Sequence, residues 1–384
     1  MSQDEKPPQA IPLSLCERLR TAAIAFERVL GEAFHVELQP FEIAPDGGEF
    51  SVTLRVCPQT EPKRGSLEPV AYKSPEQVRG LPLDRRSDIF SVGAVLYELL
   101  AGRPVFDGGD PFTLLQQICG AEIPSLLAVN PNVPMDLGRI VHQALARDPR
   151  ERYESAAALR DELMRFVPSV DKARGELAHF AQRLADCIRE ARARIPITPD
   201  DPHARGPVPF GSYLLRERIG DDGLAEIFRA ETSSPVGTRT CVIHRLYRIG
   251  TNHDAHVEAL LDAAKIGTMT WHANIVELYD VGRIEDVCYI AHEDVIGVSL
   301  AVRLDWSRYL QPPMPTFSIA TACSLMAQVC EALEHTHRIT DQRRQPLGFV
   351  HRDVRPANIL ISTNGDVKLL TLGITRAIEE LPAR

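Results

Sequence analysis

The chain has 384 residues, of which 44% are hydrophobic and 25% are charged, with a net charge of −9. This length allows two domains or one large one, and the acidic balance argues against a nucleic-acid-binding protein, which usually has a basic surface. The polar start MSQDEKPPQA is not a secretory signal, and no apolar run approaches the roughly 18 residues of a membrane span. The eight cysteines lack zinc-finger spacing, which predicts reduced thiols in a cytoplasmic protein.

Composition divides the chain into four parts. We expect a disordered tail at 1–12, a globular segment at 13–167, an amphipathic helix with a proline-rich linker at 168–209, and a second globular segment at 210–384. The helix is predicted because Leu177, Phe180, Ala181, Leu184 and Ile188 recur at the spacing of one helical face.

The second segment begins with patterns typical of strands. Alternating apolar residues and intervening turn residues predict five strands, and helical spacing predicts two helices. The strands are expected at 213–219, 224–231, 238–246, 275–281 and 287–293, and the helices near 254–268 and up to Arg338.

Four sequence motifs of this segment form one pattern. They are IGDDGLAEIFRA (219–230), TCVIHRL (240–246), HANIVELYDVG (272–282) and FVHRDVRPANILISTNGDVKLLTLG (349–373). In their order and spacing they resemble the serine/threonine protein kinase family of the bacterial eukaryotic-like type. In that resemblance the first is the glycine-rich loop, the second the third strand, the third the strand after the regulatory helix, and the fourth the catalytic loop with the strands that follow it.

The resemblance implies that part of the catalytic machinery is retained. Asp353 stands at the place of the catalytic base, and Asn358 at the place of a metal ligand. Arg355 replaces the usual loop lysine and keeps its positive charge. Gly220, Gly223, Glu293 and Val295 fall at nucleotide-site positions.

Other positions of the same site have lost the required group. His244 replaces the phosphate-binding lysine, and a histidine is too short and largely uncharged near pH 7. Ala263 falls where the regulatory-helix glutamate should be, and Thr371 replaces the metal-binding aspartate. Asp222 adds a negative charge to the glycine-rich loop, and Val242 narrows the adenine slot.

The first segment resembles a different part of a kinase. Residues 71–106 resemble the end of the activation segment and the central helix of the large lobe, and residues 148–159 its last corner. The resemblance implies that Glu76 pairs with Arg152 and that Asp88 holds the backbone of the catalytic loop.

Residues 33–56 can be aligned with the catalytic loop region as an internal repeat, because His35 and Pro40 then match His351 and Pro356. Only one of the two copies can occupy the place beside Asp88. We expect the first copy to bind there, because it is closer to Asp88 in the sequence and its loop closure costs less entropy. The implied fold is α+β and kinase-like, with a small β-rich lobe, a larger helical lobe and the pieces in permuted order.

The joint losses favour a pseudokinase that acts as a binding or regulatory scaffold. We then expect no cofactor and no resident metal, with another protein as partner, for example an active kinase or a second copy of the chain. One alternative is a kinase that still uses Asp353 with Mg-ATP. The other is a remnant of tandem kinase genes without a selected role.

Overall fold

The computed structural model describes twelve ranges of the chain. These are residues 34–38, 54–58, 68–107, 111–120, 122–193, 207–221, 225–234, 237–246, 271–285, 287–302, 317–340 and 343–370.

Eight of the nine described α-helices precede the small lobe. The eight are α1 (Glu68–Ala71), α2 (Pro75–Val78), α3 (Arg85–Ala101), α4 (Pro111–Gly120), α5 (Leu126–Val129), α6 (Met135–Ala144), α7 (Ala156–Met164) and α8 (Val170–Ala193). The ninth, α9 (Ile319–His337), follows the small lobe. Helix α3 begins where the Asp84 side chain accepts a hydrogen bond from the Arg86 amide, and it ends at Gly102, whose φ is 71°. Within the described ranges, no helix is both long and apolar enough to span a membrane.

The described strands form three antiparallel sheets. They are β1 (Phe34–Leu38), β2 (Leu54–Pro58), β3 (Val208–Phe210), β4 (Tyr213–Asp221), β5 (Ala225–Ser234), β6 (Gly237–Leu246), β7 (Leu278–Ile284), β8 (Val287–Glu293), β9 (Gly297–Ser299), β10 (Ile359–Ser362) and β11 (Val367–Leu369). The largest sheet has the order β3-β4-β5-β6-β8-β7, a second has the order β11-β10-β9, and β1 pairs only with β2.

One hydrophobic core joins residues from both halves of the chain. Helix α3 is buried on all sides from residue 87 to residue 100, as expected for a helix at the centre of a lobe. Leu325 and Leu333 of α9 and Ile359 of β10 belong to the same core. Helix α9 packs against α3, α7 and α8, so helices that come early in the chain cover a helix that comes late.

Helix α8 lies across the same junction. Its Glu176 accepts hydrogen bonds from the hydroxyls of Ser318 and Thr321 at the start of α9. The Arg174 guanidinium lies 2.8 Å from the Asp366 carboxylate, between β10 and β11. The ring of Phe180 meets Phe317 edge to face, with 5.2 Å between centroids. The predicted amphipathic helix therefore packs against elements that come late in the chain, the start of α9 and the turn between β10 and β11.

The structure corrects several predicted boundaries. Strand β3 begins inside the predicted linker, and β7 starts at Leu278 because Ile275 instead forms a parallel bridge with Leu369. The helix predicted near 254–268 lies outside the described residues. Strand β1 falls on positions that the proposed repeat aligns with the catalytic loop, which is not a strand at 351–354, so the repeat stays a prediction.

Candidate functional site

Asp353, Arg355 and Asn358, which the resemblance places at catalytic positions, come together in the loop between α9 and β10. A short 3-10 helix at Pro356–Asn358 ends this loop and leads directly into β10. The Asn358 amide nitrogen donates to the Asp353 carboxylate at 2.8 Å and to the Asp353 carbonyl at 2.9 Å. The Arg355 Nε lies 3.1 Å from the other carboxylate oxygen. Both side chains are 18% exposed, so the Asp353 carboxylate is oriented and still reachable by solvent.

Asp88 fixes the backbone of this loop from the early part of the chain. Its carboxylate accepts hydrogen bonds from the amides of His351 and Arg352, each at 2.8 Å. The His337 Nε2 lies 2.7 Å from the same carboxylate. Burial acts to raise the pKa of Asp88, but the hydrogen bond and charge of His337 outweigh it, so the pKa lies below its usual range. The carboxylate therefore stays ionised.

This geometry corrects the expected competition beside Asp88. The loop bound there is the second copy, at 351–352, and not the first copy that the shorter loop closure favoured. The entropic advantage of a shorter loop grows only slowly with length. This difference in loop-closure free energy is therefore too small to decide which copy binds.

A buried ion pair between Glu76 and Arg152 lies at the start of helix α3, where Arg152 also donates to the Arg86 carbonyl. The two guanidinium nitrogens of Arg152 donate to the two Glu76 oxygens at 2.6 and 2.9 Å. Burial acts to raise the pKa of Glu76, but hydrogen bonds from Arg152 and Ser87 lower it overall. The pairing implied by the sequence is confirmed.

Val242 and His244, which the resemblance places at nucleotide-site positions, lie on strand β6, and strand β8 is its neighbour. Val242 lies directly opposite His292, and His244 lies opposite Ile290. Because side chains alternate along a strand, these four share one face of the sheet. The other face carries Cys241, Ile243, Tyr289 and Ala291, which belong to the small-lobe core.

His244, at the position of the lost lysine, is buried against a second histidine. The Nε2 atoms of His244 and His292 are 3.0 Å apart, and each residue is 4% exposed. The His292 Nδ1 lies 2.8 Å from the Glu293 carbonyl oxygen. Since a carbonyl only accepts, Nδ1 carries the proton and the neutral His292 ring accepts at Nε2. Burial, together with His244, lowers the pKa of His292 to about 3, so this ring is neutral at pH 7.

Two nearby cations do not take the place of the lysine. Arg245 follows His244 on the opposite face of β6, where it pairs with Glu226 at 2.5 Å. Lys368 on β11 pairs with Glu293 at 2.8 Å. Both charges are thus already engaged by carboxylates.

The remaining predicted site residues are only partly described. Gly220 lies in β4, Glu293 ends β8, and Val295 lies half-buried between β8 and β9. Gly223 and Thr371 lie outside the described residues, as do Asp222 and Ala263. The structure therefore describes the catalytic loop and the cleft wall, and the glycine-rich turn and the Thr371 position rest on sequence alone.

His292 is a site residue that the sequence analysis missed. Its signal was the period-two alternation of β8, which places residue 292 on the same face as residue 290. Only the register with β6 places it beside His244, and register between separate strands is not readable from one sequence.

Comparison with known proteins identifies relatives of both halves. The protein kinase domain family matches residues 57–164 and 217–383, together well over half of the chain. The tyrosine-protein kinase MasK of Myxococcus xanthus is 32% identical over 176 residues, which are 45% of this chain and 26% of MasK. The serine/threonine-protein kinase PrkC of Bacillus subtilis is 44% identical over 90 residues, 23% of this chain and 14% of PrkC.

The matched relatives are much longer than the part of them that this chain spans, about a quarter of MasK and a seventh of PrkC. Among solved structures, the PknI kinase domain of Mycobacterium tuberculosis is similar with a TM-score of 0.35 and 21% identity, covering 44% of this chain and 61% of that domain. The extent of the family match, on both sides of the linker, settles the classification. This chain belongs to the protein kinase family.

Proposed function

We propose that this chain is a pseudokinase, a kinase-fold protein that binds and regulates another protein without transferring phosphate. One observation carries the proposal: the residue at the lysine position, His244, is buried against His292 instead of directing a cation into the cleft. Phosphoryl transfer depends on positioned cations that neutralise the charge of the triphosphate. An imidazole held against a second imidazole does not reach into the site as a lysine ammonium would.

The sequence around the described site supports the same proposal. Thr371 stands where an aspartate would hold the metal, and Ala263 where a glutamate would hold the lysine. A threonine hydroxyl is a poor substitute for an anionic oxygen as a Mg²⁺ ligand. We therefore propose no resident metal at the Asn358 position and no bound Mg-ATP.

Residual kinase activity is the second candidate, and one observation favours it. Asp353, Asn358 and Arg355 keep a hydrogen-bonded geometry in which the Asp353 carboxylate could accept a proton from a substrate hydroxyl. The relatives MasK and PrkC are also named as kinases. The first point concerns the base rather than the phosphate-binding groups.

A radiolabel assay separates the two candidates. The full chain is incubated with labelled ATP and Mg²⁺ or Mn²⁺, alone and with generic protein substrates, beside the variant Asp353→Asn. We expect equal, background incorporation in both, because groups that act as a unit lose most activity when one is removed. Incorporation that exceeds the background and disappears in Asp353→Asn would establish the kinase instead.

Nucleotide binding gives an independent measurement. Ligand at 100 times its dissociation constant stabilises a protein by about 2.7 kcal/mol, so a bound nucleotide raises the melting temperature by several degrees. We expect no such rise at millimolar Mg-ATP. Adenosine belongs in the same screen, because an apolar adenine slot does not require the lost cations.

The proposed partner is another protein, either an active kinase or a second copy of this chain, in the cytoplasm. The thiols of Cys241, Cys288, Cys323 and Cys330 are buried and free, in keeping with a reducing compartment. Sedimentation across a range of concentrations distinguishes self-association from a monomer that awaits a different partner.

A further inference from the structure

A cavity lies where the early helix α7 meets the end of α9 and the segment before β7. Its volume is about 550 Å³, within the roughly 300–1,000 Å³ that is usual for ligand pockets. His272 and His335 line it with rings whose centroids are 5.0 Å apart. Ile339 and Thr340, just after α9, line it as well. The cavity is therefore large enough to hold a big side chain of another molecule together with its neighbours.

The charged side chains of the cavity face one another in pairs. Arg160 of α7 lies 2.8 Å from Glu331, and Arg338 lies 2.6 Å from Glu334. The Glu334 carboxylate also accepts the amide of Ala157 at 3.0 Å. Because each of these charges already faces an opposite one, the lining favours an uncharged occupant with an apolar body and a polar tip over a strongly charged occupant.

An exposed tryptophan lies at the rim of this cavity. Trp271 is 76% exposed and directly precedes His272, and tryptophan is enriched at the centres of protein interfaces because it combines a large apolar ring with one N–H donor. Leu347 is also exposed, and its amide donates to the carbonyl of Ile339, a lining residue. A projecting aromatic ring and a cavity therefore lie side by side on one surface.

We propose that this surface is an interface between two copies of the chain, in which Trp271 of each copy enters the cavity of the other. The inference rests on the proposed role as a protein-binding scaffold and names a second copy as its partner. Around a two-fold axis the same patch of both copies meets, and each contact is made twice. An adjacent projection and cavity satisfy this symmetry, because each copy supplies what the other receives.

Charge favours a second copy at this surface over other faces of the chain. Two copies with a net charge of −9 each repel one another. The pairs Arg160–Glu331 and Arg338–Glu334 carry no net charge, so repulsion is weaker where they meet. The entering indole also finds partners here, since Arg338 can lie over its face and the Glu331 carboxylate can accept its N–H.

Sedimentation of the full chain across a range of concentrations tests the inference. We expect a monomer–dimer equilibrium. Trp271→Ala removes the projecting ring and should weaken association by more than about tenfold, because interface tryptophans are frequent hot spots. Thr340→Trp fills the cavity from an exposed position and should weaken association as much. The control Phe112→Ala, an exposed aromatic on α4, should associate like the original chain, and circular dichroism confirms that each variant is folded.

A mixture of the two variants tests the exchange itself. Trp271→Ala keeps the cavity and lacks the ring, whereas Thr340→Trp keeps the ring and lacks the cavity, so a mixed pair can still form one of the two contacts. We expect the mixture to associate more strongly than either variant alone, which a purely structural effect of either substitution would not produce. A mixture that associates no better than its components contradicts the exchange of Trp271 between copies.

If Trp271→Ala or Thr340→Trp does not fold, fluorescence decides. Trp306→Phe leaves Trp271 as the single tryptophan of the chain, and its emission should move to shorter wavelengths as the concentration rises, because the indole leaves water. A chain that stays monomeric, or association that survives both cavity variants, overturns the inference and leaves another protein as partner. These readouts are independent of phosphotransfer, so the interface and the pseudokinase proposal can fail separately.

Discussion

The carboxylate of Asp88 accepts a hydrogen bond from the amide of His351, a residue 263 positions later in the chain. Asp88 is 1% exposed, and it also receives the amide of Arg352. The central helix and the catalytic loop are therefore one structural unit, although the whole small lobe lies between them in sequence.

The variant Asp88→Asn tests this unit. The two carboxylate oxygens of Asp88 each accept a backbone N–H. Asparagine keeps one oxygen and replaces the other with an NH₂ group, which cannot accept, so at least one of these N–H groups loses its partner. We expect a loss of about 2–4 kcal/mol in the free energy of unfolding, measured by urea titration. The exposed Asp186→Asn, on α8, should change it by less than about 0.5 kcal/mol. A loss below 1 kcal/mol at Asp88 would show that the loop is held by other contacts.

The buried pair of Glu76 and Arg152 predicts a non-additive double-mutant cycle. Because each single change to alanine leaves a buried charge without its partner, we expect losses of about 3–5 kcal/mol. The double variant should lose clearly less than the sum. Arg165→Ala, which removes an exposed pair with Glu162, is the control and should cost at most about 1 kcal/mol. Additive losses would mean that the two side chains act separately.

The His292 pair predicts a specific acid sensitivity. The pKa of His292 is lowered to about 3 in the folded chain, against about 6.5 when unfolded. Between these values the unfolded state binds the extra proton, so stability falls as the pH falls through this window. Acidification from pH 6.5 to 5 should cost roughly 1.5 kcal/mol through this group.

Comparison of variants isolates that contribution. Between pH 6.5 and 5, the free energy of unfolding of His292→Met should fall less steeply than that of the original chain. His179→Gln, an exposed substitution on α8, should follow the original curve. Identical slopes for His292→Met and the original chain would indicate that His292 protonates freely in the folded state.

The shared core predicts that the late half cannot fold by itself. A fragment of residues 205–384 keeps α9 but lacks α3, α7 and α8, which cover it. It should expose an apolar face that stable monomers rarely carry, and therefore unfold without a cooperative transition. Addition of a fragment of residues 60–195 should restore that transition. A fragment 205–384 that melts cooperatively as a monomer would make the late half an independent domain.

Local patterns predicted several elements within a few residues, because strands β4 to β6 and helices α8 and α9 each have one clear period. The predicted strand 287–293 coincides with β8. The central helix α3 and the Glu76–Arg152 contact followed from the family resemblance.

Relationships between distant elements were less accessible. Loop entropy suggested that residues near Asp88 in the sequence would bind there, and the amides of residues 351–352 bind instead. Likewise, nothing in the sequence specifies that β6 pairs with β8 so that His292 reaches His244. Such contacts depend on register and tertiary packing, which one sequence does not encode in any local pattern.

The 263-residue separation of Asp88 and His351 also determines how long after Asp88 the ribosome synthesises His351. A ribosome that adds about 5–20 residues per second delivers His351 roughly 13–50 s after Asp88. During that interval α3 and α7 have emerged, but α9, which covers them, has not. During this stage the early half of the nascent chain exposes an apolar surface and the Asp88 carboxylate lacks its partners. We therefore expect chaperones to bind the chain mainly at this stage.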